Sequence, residues 1–369
     1  MNFDFSDDEK LVRDQTARLL ADQCDTRVVR SVLEGRAPYA VEVWKGLCDM
    51  GLPGTAIPEA FGGVDAGYLT LCLVAQSLGA KVAPTPFSST VYLFAEAVLQ
   101  CGTDAQKQAL LPKIATGELI GAMAVTEDRT ELNPDYLNCR VAAGKLSGTK
   151  FAVADGGIAD CAVVLARGEA GLGLYLVELK GAGVTRTPLE TIDPTRNTTR
   201  IEFSGASAEL LGAKAGGGIA QLDRIQNRAA VLFAFEQIGG AQAALDMAVN
   251  YAKGRYAFGR PIGSFQGLKH MMADMYVALK LAESNCYYAA WALATDAPEL
   301  PLAAATARVS ATHAYQLCSR DNIQVHGGMG FTWEFDCHLY YRRSNYLALE
   351  LGGLSVWENK LVNALPSAA

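Results

Sequence analysis

The sequence has few of the residues that build metal centres. It contains four histidines among 369 residues, and no two of them stand at a spacing typical of metal ligands. Its nine cysteines are odd in number and include no Cys-x-x-Cys pair, so neither a disulfide framework nor a zinc site is indicated. We expect no metal, and we expect buried thiols in a reducing compartment.

The sequence also lacks a basic excess and a targeting segment. With 32 Lys and Arg against 39 Asp and Glu, the net charge of −7 disfavours a nucleic-acid partner. Met1 to Lys10 contain neither a basic region nor an apolar run, so no secretory signal is predicted and the expected location is the cytoplasm. The most apolar stretch, Ala229 to Val249, is interrupted by polar residues such as Glu236 and Asp246, which argues against a membrane span.

The chain does contain two long apolar segments joined by a turn-rich loop. Asp223 to Lys253 predicts a helix that is apolar on nearly every side from Ala229 to Ala248, as expected of a helix buried in a bundle. Gly254 and Gly259 let the chain turn after this helix, and Pro261 prevents the helix from resuming. Ser264 is predicted as the N-cap of the next helix. One face of that next helix is apolar: Phe265, Leu268, Met272, Met275 and Leu279.

Periodicity divides the chain into three predicted domains. Residues 1–118 are helical, beginning with a capping-box pattern at Ser6 to Glu9. Residues 119–214 switch to short alternating segments, and residues 215–369 return to helices. The predicted strands are Cys139–Val141, Lys145–Val153, Cys161–Ala166, Gly173–Leu179, Gly183–Thr187 and Thr199–Phe203, with a hairpin at Gly168–Gly171. Other predicted helices include Val41–Met50, Thr70–Leu78, Ser88–Cys101, Asp104–Ile114, Pro301–Asn322 and Thr332–Leu351.

Arg255, Phe258 and Gln266 are the candidate ligand-binding residues of the turn-rich loop. They offer a fixed cation, an aromatic face and an amide that both donates and accepts hydrogen bonds. These groups suit the pyrophosphate, a stacking surface and a base or ribose edge of a dinucleotide. The residues alone leave a second interpretation open, in which an Arg and a Gln beside a turn serve as capping and interface groups.

Two motifs accompany this loop, Gln237-Ile-Gly-Gly-Ala-Gln242 before it and Asp321-Asn-Ile-Gln-Val-His-Gly-Gly-Met-Gly-Phe331 after it. Together they resemble the C-terminal domain of the acyl-CoA dehydrogenase family. The turns Met50-Gly-Leu-Pro-Gly54 and Pro58-Glu-Ala-Phe-Gly-Gly63 extend the resemblance to the N-terminal part. The resemblance implies an α+β fold that is mostly α, with an N-terminal helical domain, a central antiparallel β-domain and a C-terminal four-helix bundle.

The resemblance also implies the cofactor FAD and an acyl-CoA substrate. In the family, the loop reaches the FAD of a neighbouring subunit, and the later Gln-x-x-Gly-Gly run contacts the same cofactor. The implied contacts are Arg255, Phe258, Gln266, Gln324, Gly327 and Gly328, together with Val125 and Thr126 on the flavin-facing strand. His326 is a further candidate for contact with the cofactor. The implied partners are a second dehydrogenase-like subunit or further copies of the chain, and an electron-transfer flavoprotein.

The sequence departs from the family where the flavin ring is held. A Gly-Ser-Asp loop that follows the flavin-facing strand in the family is replaced by the run that begins at Asp128. A second family segment, Trp-Ile-Thr-Asn-Gly, becomes Ala152-Val-Ala-Asp-Gly156. In the family the Trp packs on the flavin and the Thr bonds its ring, so Ala152 and Ala154 remove both contacts.

The family's catalytic base is missing as well. In the family a Glu removes the α-proton while the β-hydride passes to the flavin, and Leu351 occupies that Glu position. A second position used in the family falls on Ala229, and the CoA-contacting Arg falls on Ala230. Glu350 lies one residue along a predicted helix and is expected to point elsewhere, whereas Glu236 is expected to pair with a neighbouring helix. No catalytic residue is assigned.

These features favour the degenerate partner subunit of a heteromeric acyl-CoA dehydrogenase. Such α2β2 enzymes act in the degradation of bulky side chains such as those of steroids, and the chain would supply adenine and pyrophosphate contacts to FAD held by a catalytic subunit. Two alternatives stay open. One is a homotetrameric flavoenzyme that uses Glu350 or another carboxylate, and the other is a non-catalytic protein that keeps the fold for assembly.

Overall fold

The computed structural model describes residues 5–127 and 132–365. Its N-terminal part is helical, and the predicted capping box is present: the Ser6 hydroxyl accepts from the Glu9 amide, and the Glu9 carboxylate accepts from the Ser6 amide. The helices of this part are α1 (Asp7–Gln23), α2 (Thr26–Leu33), α3 (Val41–Asp49), α4 (Gly67–Ala80), α5 (Glu96–Cys101) and α6 (Asp104–Ala115).

The predicted helix Ser88–Cys101 is wrong in its first half. Residues Ser88–Ala95 form a π-helix, and only α5 that follows is an α-helix. Every residue of the π-helix is buried. Because apolar side chains occur on all its sides, hydrophobic periodicity could not distinguish a wide turn from a regular one. Segments of this kind are uncommon and often lie at functional sites.

Residues 121–210 form one sheet. Its strands are β1 (Gly121–Ala124), β2 (Arg140–Ala142), β3 (Lys145–Ala154), β4 (Cys161–Gly168), β5 (Gly171–Glu178), β6 (Val184–Pro188), β7 (Thr198–Ser207) and β8 (Glu209–Leu210). Their order in the sheet is β6-β7-β3-β2-β4-β5-β8, with β1 paired to β4. Neighbouring strands are antiparallel, except that β1 and β2 both run parallel to β4. Each predicted strand is present, and Gly168 pairs with Gly171 in the predicted hairpin.

The C-terminal part is again helical. The predicted long helix begins earlier than expected, at Gly218, and ends at Gly254. The predicted helix Thr332–Leu351 is wrong at both ends, because it begins at Cys337 and stops at Leu349. The elements are α7 (Gly218–Gly254), the short strands β9 (Tyr256–Ala257) and β10 (Arg260–Pro261), α8 (Gln266–Ala294), α9 (Leu300–His326), α10 (Cys337–Leu349) and α11 (Leu354–Ala364).

The chain groups into two compact units. One consists of Met1–Arg27, Tyr68–Ala83 and Ala230–Ala369, and the other of Val28–Gly67 and Pro84–Ala229. The first holds the helical bundle, and the second holds the sheet, whose core includes Leu146, Val164, Val177, Ile201 and Phe203. The division into three domains stays a prediction. None of the helices in the described parts of the chain is long and apolar enough to cross a membrane.

Candidate functional site

The loop after α7 is a tight hairpin that presents Phe258 to solvent. Tyr256 pairs with Pro261 and Ala257 with Arg260, which leaves Phe258 and Gly259 at the turn. Both have positive φ, 53° and 77°, as a type I′ turn requires. The Phe258 side chain is 95% exposed, and Arg255 at the base of the hairpin is also exposed. We call residues 255–261 the hairpin arm.

Gln266 is the first residue of α8 and is exposed. The N-cap of this helix is Phe265, not Ser264 as predicted, and it makes no side-chain capping bond. Ser264 ends a short 3₁₀ turn, and its hydroxyl donates to the Pro261 carbonyl at 2.7 Å. The predicted N-cap hydroxyl is therefore used by the preceding turn. The Arg260 guanidinium lies over the Phe265 ring, 4.1 Å from its centroid.

The end of α9 carries the second predicted set of contacts, and the residues that follow it form what we call the α9 arm, Gly327–Phe331. Gln324 and Gly328 are exposed, and Gly327 has a positive φ of 57° that favours glycine. A Cβ on Gly328 would meet no atom within 4 Å, and its φ is not in the left-handed region. The chain's own packing therefore does not require glycine at position 328, whereas close approach of an outside group would.

These two sets fit the nucleotide half of FAD. An exposed guanidinium, an exposed aromatic ring and two exposed amides are groups that bind pyrophosphate, stack on a base and bond ribose or base edges. The ends of α7 and α9 that carry them are adjacent, since the Tyr251 and His326 rings stack with centroids 4.0 Å apart. Their contact with the cofactor stays a prediction.

Val125 and Thr126 directly follow β1 and are tied to β3 by their backbone. The Lys150 ammonium donates to the Val125 carbonyl at 2.9 Å, and the Phe151 amide donates to the Thr126 carbonyl at 2.9 Å. Lys150 is fully buried and also forms an ion pair with Glu127 at 2.9 Å. Burial acts to raise the pKa of Glu127, but bonds from the Asn138 and Cys139 amides and from Lys150 outweigh it and hold that pKa below its usual value.

The positions where the family holds the flavin ring offer no such groups. Ala152 and Ala154 end β3, and Ala152 has a positive φ of 51°. The replaced loop, Asp128 to Glu131, lies outside the described residues. Asp155 is buried: its carboxylate accepts from Arg196 at 2.8 Å and from Ser89 at 2.6 Å, and the same Arg196 nitrogen donates to Ser88 at 2.7 Å. The buried Asp155–Arg196 ion pair at the end of β3 is thus linked to the π-helix by hydrogen bonds with Ser88 and Ser89.

The expected base position falls in the loop after α10. Leu351 has a φ of 64° and Gly352 a φ of 94°, and Glu350 is extended. The reason given from the sequence for excluding Glu350 is therefore wrong, because neither residue continues a helix. Arg308 donates to the carbonyls of Leu347 and Glu350 and to the Gln237 amide oxygen. Burial lowers the pKa of Arg308 to about 10, although the negative charges of Glu350 and Glu236 act to raise it.

Other charged groups near the family's site positions are already paired. The Glu236 carboxylate accepts from Arg343 at 3.4 Å, and both side chains are buried, which confirms its predicted pairing with a neighbouring helix. Arg228 lies near the expected CoA-contacting position, Ala230, and forms a buried ion pair with Glu96. Neither Glu236 nor Arg228 is placed as a solvent-accessible catalytic or ligand-binding group.

Arg308 and Arg196 are among the buried arginines that sequence patterns did not predict. Arg308 interrupts a run of small apolar residues in α9, and such an interruption is a signal that the buried face contains a polar partner. Arg196 lies in the loop between β6 and β7, where no periodic pattern of apolar residues could indicate that it is buried. Its partner Asp155 is 41 residues away, so only the fold brings them together.

The cysteines offer no activated thiol. Burial raises the pKa of every one of the nine, for example to about 12 for Cys161 and about 11 for Cys337. Low-pKa thiolates are the reactive form, so nucleophilic catalysis by cysteine is not supported. Within residues 5–127 and 132–365, no group of three His, Cys, Asp or Glu side chains could hold a metal ion.

A helical part, a sheet and a second helical part follow one another along the chain. A sequence profile of the acyl-CoA dehydrogenase N-terminal domain matches residues 6–118, and one of the C-terminal domain matches residues 216–356. The acyl-CoA dehydrogenase IpdE2 of Mycobacterium tuberculosis is 34% identical over 340 residues, which are 92% of this chain and 91% of IpdE2. The chain therefore belongs to the acyl-CoA dehydrogenase family, whose cofactor is FAD.

Solved structures agree with this assignment. A chain of the ChsE4-ChsE5 complex from Mycobacterium tuberculosis matches with a TM-score of 0.90 and 25% identity, covering 100% of both chains. A chain of the Tcur3481-Tcur3483 steroid ACAD matches with a TM-score of 0.87 and 26% identity, covering 96% of this chain and 97% of that one. The fold expected from the sequence is confirmed.

Proposed function

We propose that this chain is the FAD-contacting, non-catalytic subunit of a heteromeric acyl-CoA dehydrogenase. Arg255, Phe258 and Gln266, with Gln324 and the α9 arm, hold the adenine and pyrophosphate part of FAD. A second dehydrogenase-like polypeptide supplies the flavin-ring contacts and the carboxylate base. FAD, when bound, takes up the hydride from the β-carbon of an acyl-CoA thioester.

The observation that carries this proposal is an asymmetry between two sets of residues. The hairpin arm is preformed and exposed, with the Phe258 ring 95% accessible. In contrast, the positions of the base and of the ring contacts hold Leu351, Ala229, Ala152 and Ala154, and none of these side chains can transfer a proton or donate a hydrogen bond. A self-sufficient enzyme needs both sets.

The similar proteins support a heteromer. Two of the matched structures are named as pairs of different proteins, ChsE4 with ChsE5 and Tcur3481 with Tcur3483, and the second is a steroid ACAD. A bulky acyl-CoA, such as one with a steroid-derived acyl group, is therefore the substrate class that we propose for the assembled enzyme. An electron-transfer flavoprotein is the proposed electron acceptor.

Expression of the full chain, alone and together with a second dehydrogenase-like chain, tests this function. We expect the chain alone to be colourless, and the pair to bind FAD and to bleach when an acyl-CoA is added. A yellow chain that carries one FAD per subunit and bleaches with an acyl-CoA by itself would overturn the proposal. A colourless chain that no partner activates would favour the assembly role.

One observation favours the homomeric alternative. Because α10 ends at Leu349, Glu350 lies in a loop and its side chain does not follow the helical direction. We propose Glu350 as the base in that alternative. Glu350→Gln distinguishes the two readings: it should abolish bleaching in a homomeric enzyme and leave the heteromer active.

A further inference from the structure

Three aromatic rings join the hairpin arm to the α9 arm. Tyr251, in the last turn of α7, stacks on His326 at the end of α9, with centroids 4.0 Å apart and an interplanar angle of 25°. Phe335, which follows the α9 arm, packs edge-on against both, 6.0 Å from Tyr251 and 5.8 Å from His326. Each ring therefore contacts the other two. We call these residues the ring triad.

Two of the rings, Tyr251 and His326, are linked to the arms through the backbone. The Arg255 amide donates to the Tyr251 carbonyl at 2.8 Å, so Arg255 begins the hairpin arm one helical turn after the Tyr251 ring. His326 directly precedes Gly327, whose amide donates to the Gln324 carbonyl. Tyr251 and His326 thus lie within one turn of backbone of Arg255 and Gly327, the nearest predicted FAD contacts on each arm.

The orientation of the His326 ring is fixed. Its Nδ1 lies 2.8 Å from the Asn322 carbonyl, which can only accept, so Nδ1 carries the proton. Burial lowers the pKa of His326, against the effect of that carbonyl, and so favours the neutral ring. A neutral ring with one bonded nitrogen presents a flat face to Tyr251 without the cost of a buried charge.

Each arm packs mainly at its base, where the Arg260 guanidinium lies over the Phe265 ring and Gly330 is buried beside Ile323 and His326. The hairpin arm has two residues in each strand, and isolated two-stranded hairpins are marginal in water. A Cβ on Gly254, Gly259, Gly327 or Gly328 would meet no atom within 4 Å. Phe331 at the end of the α9 arm is 79% exposed. The arms therefore depend on the groups at their bases for their orientation.

From this geometry we infer that the ring triad is a positioning element. It holds the two arms at a fixed position relative to each other, so that both can contact one dinucleotide. Tyr251, His326 and Phe335 act on FAD affinity through the arms. This inference rests on the proposed function for the identity of the ligand, but its mechanical part, the coupling of one arm to the other, does not.

Hydrogen exchange of the full chain without FAD tests the coupling. We expect Tyr251→Leu to speed amide exchange in residues 327–332 about tenfold, and His326→Leu to do the same in residues 255–262, because each substitution removes the ring that supports the opposite arm. Tyr251→Phe keeps the stack and should behave as wild type. Trp291→Leu, which removes a stack with Tyr288 inside α8, should change neither arm.

The coupling is overturned if faster exchange stays in the arm that carries the substitution, or if neither arm changes. If a leucine variant fails to fold, Phe335→Leu is the alternative, because this ring is only half-buried and its loss removes less packing. Faster amide exchange is then expected in both arms. A purely structural role would loosen residues near the substitution and would not reach the other arm.

Titration of FAD against the assembly that binds it tests the functional part. The leucine variants should raise the dissociation constant about tenfold while the visible flavin spectrum stays unchanged, because only the nucleotide half is affected. The control variant Tyr251→Phe, which keeps the stack, should have the wild-type dissociation constant. If Arg255→Ala leaves FAD affinity unchanged, the proposed function fails. If Arg255→Ala weakens FAD binding and the leucine variants do not, the positioning role of the ring triad fails.

Discussion

Phe258 holds a backbone conformation that its side chain disfavours. A left-handed φ costs a non-glycine residue roughly 1–2 kcal/mol, and type I′ turns prefer Asn or Gly at this position. The ring packs against little of the chain, with Phe265 at 6.2 Å as an edge contact. Such strain is commonly found where a side chain serves a ligand instead of the fold.

Phe258→Asn should therefore separate stability from cofactor binding. We expect the free energy of unfolding to stay the same or to rise by up to about 1 kcal/mol, because Asn tolerates the left-handed region and completes an Asn-Gly turn. FAD affinity should fall about tenfold through loss of the stacking ring. Tyr256→Asn, in the same hairpin but at an ordinary φ, is the control and should not stabilise the chain. A clear loss of stability in Phe258→Asn would contradict this account.

The Glu236–Arg343 pair gives a second prediction at the residue scale. Glu236→Gln leaves the Arg343 charge buried without its carboxylate, and breaking a buried pair in this way costs about 3–5 kcal/mol. Urea unfolding should detect this loss. Replacing both residues by Leu should cost less than either single replacement, because no charge is then left buried. A Glu236→Gln variant with normal stability but no catalytic activity in the assembled enzyme would instead make Glu236 a functional carboxylate.

Among the elements, the segment after β1 is held by a buried ion pair whose strength depends on pH. The pKa of Glu127 in the folded chain lies below the ordinary value of 4.5. The unfolded state therefore binds more protons at low pH, so this stabilisation is fully present above pH 4.5 and is lost as the pH falls through the lower folded value.

Glu127→Gln should flatten that part of the pH profile. Between pH 7 and pH 3.5, the free energy of unfolding should fall less steeply in the variant than in the wild type, as measured by denaturant unfolding. Glu59→Gln, at an exposed carboxylate, is the matched control and should keep the wild-type slope. If Glu127→Gln and Glu59→Gln give the same slope, the buried pair does not contribute to acid stability.

At the same scale, strands are more predictable from this sequence than helix boundaries are. Strands bounded by Gly, Asp and Asn were predicted nearly in place, because alternation and turn residues are local signals. α2 and α11 were not predicted, and the start of α10 was placed at Thr332 instead of Cys337. Those boundaries depend on packing, which also decides that Ser88–Ala95 forms a π-helix. The sequence motifs identified the two arms but could not reveal the ring triad that joins them.

For the molecule as a whole, the proposed function predicts that one carboxylate will not restore an enzyme. Leu351→Glu places a carboxylate at the position of the missing base, but Ala152 and Ala154 still cannot make the family's contacts with the flavin ring. We expect the full-length variant, expressed alone and given FAD, to show no bleaching with an acyl-CoA. Partner-dependent activity should stay within a few-fold of wild type. Acyl-CoA bleaching by the variant alone would mean that the chain holds the flavin ring by itself.

Burial raises the pKa of all nine native thiols, and this has a practical consequence. Burial raises the pKa of Cys101, Cys139 and Cys337 to about 11, so we expect alkylating reagents to react slowly with these thiols at pH 7. A cysteine placed at position 258 would then be labelled selectively without removal of any natural one. A spectroscopic probe attached there would report directly whether a second polypeptide docks over the turn.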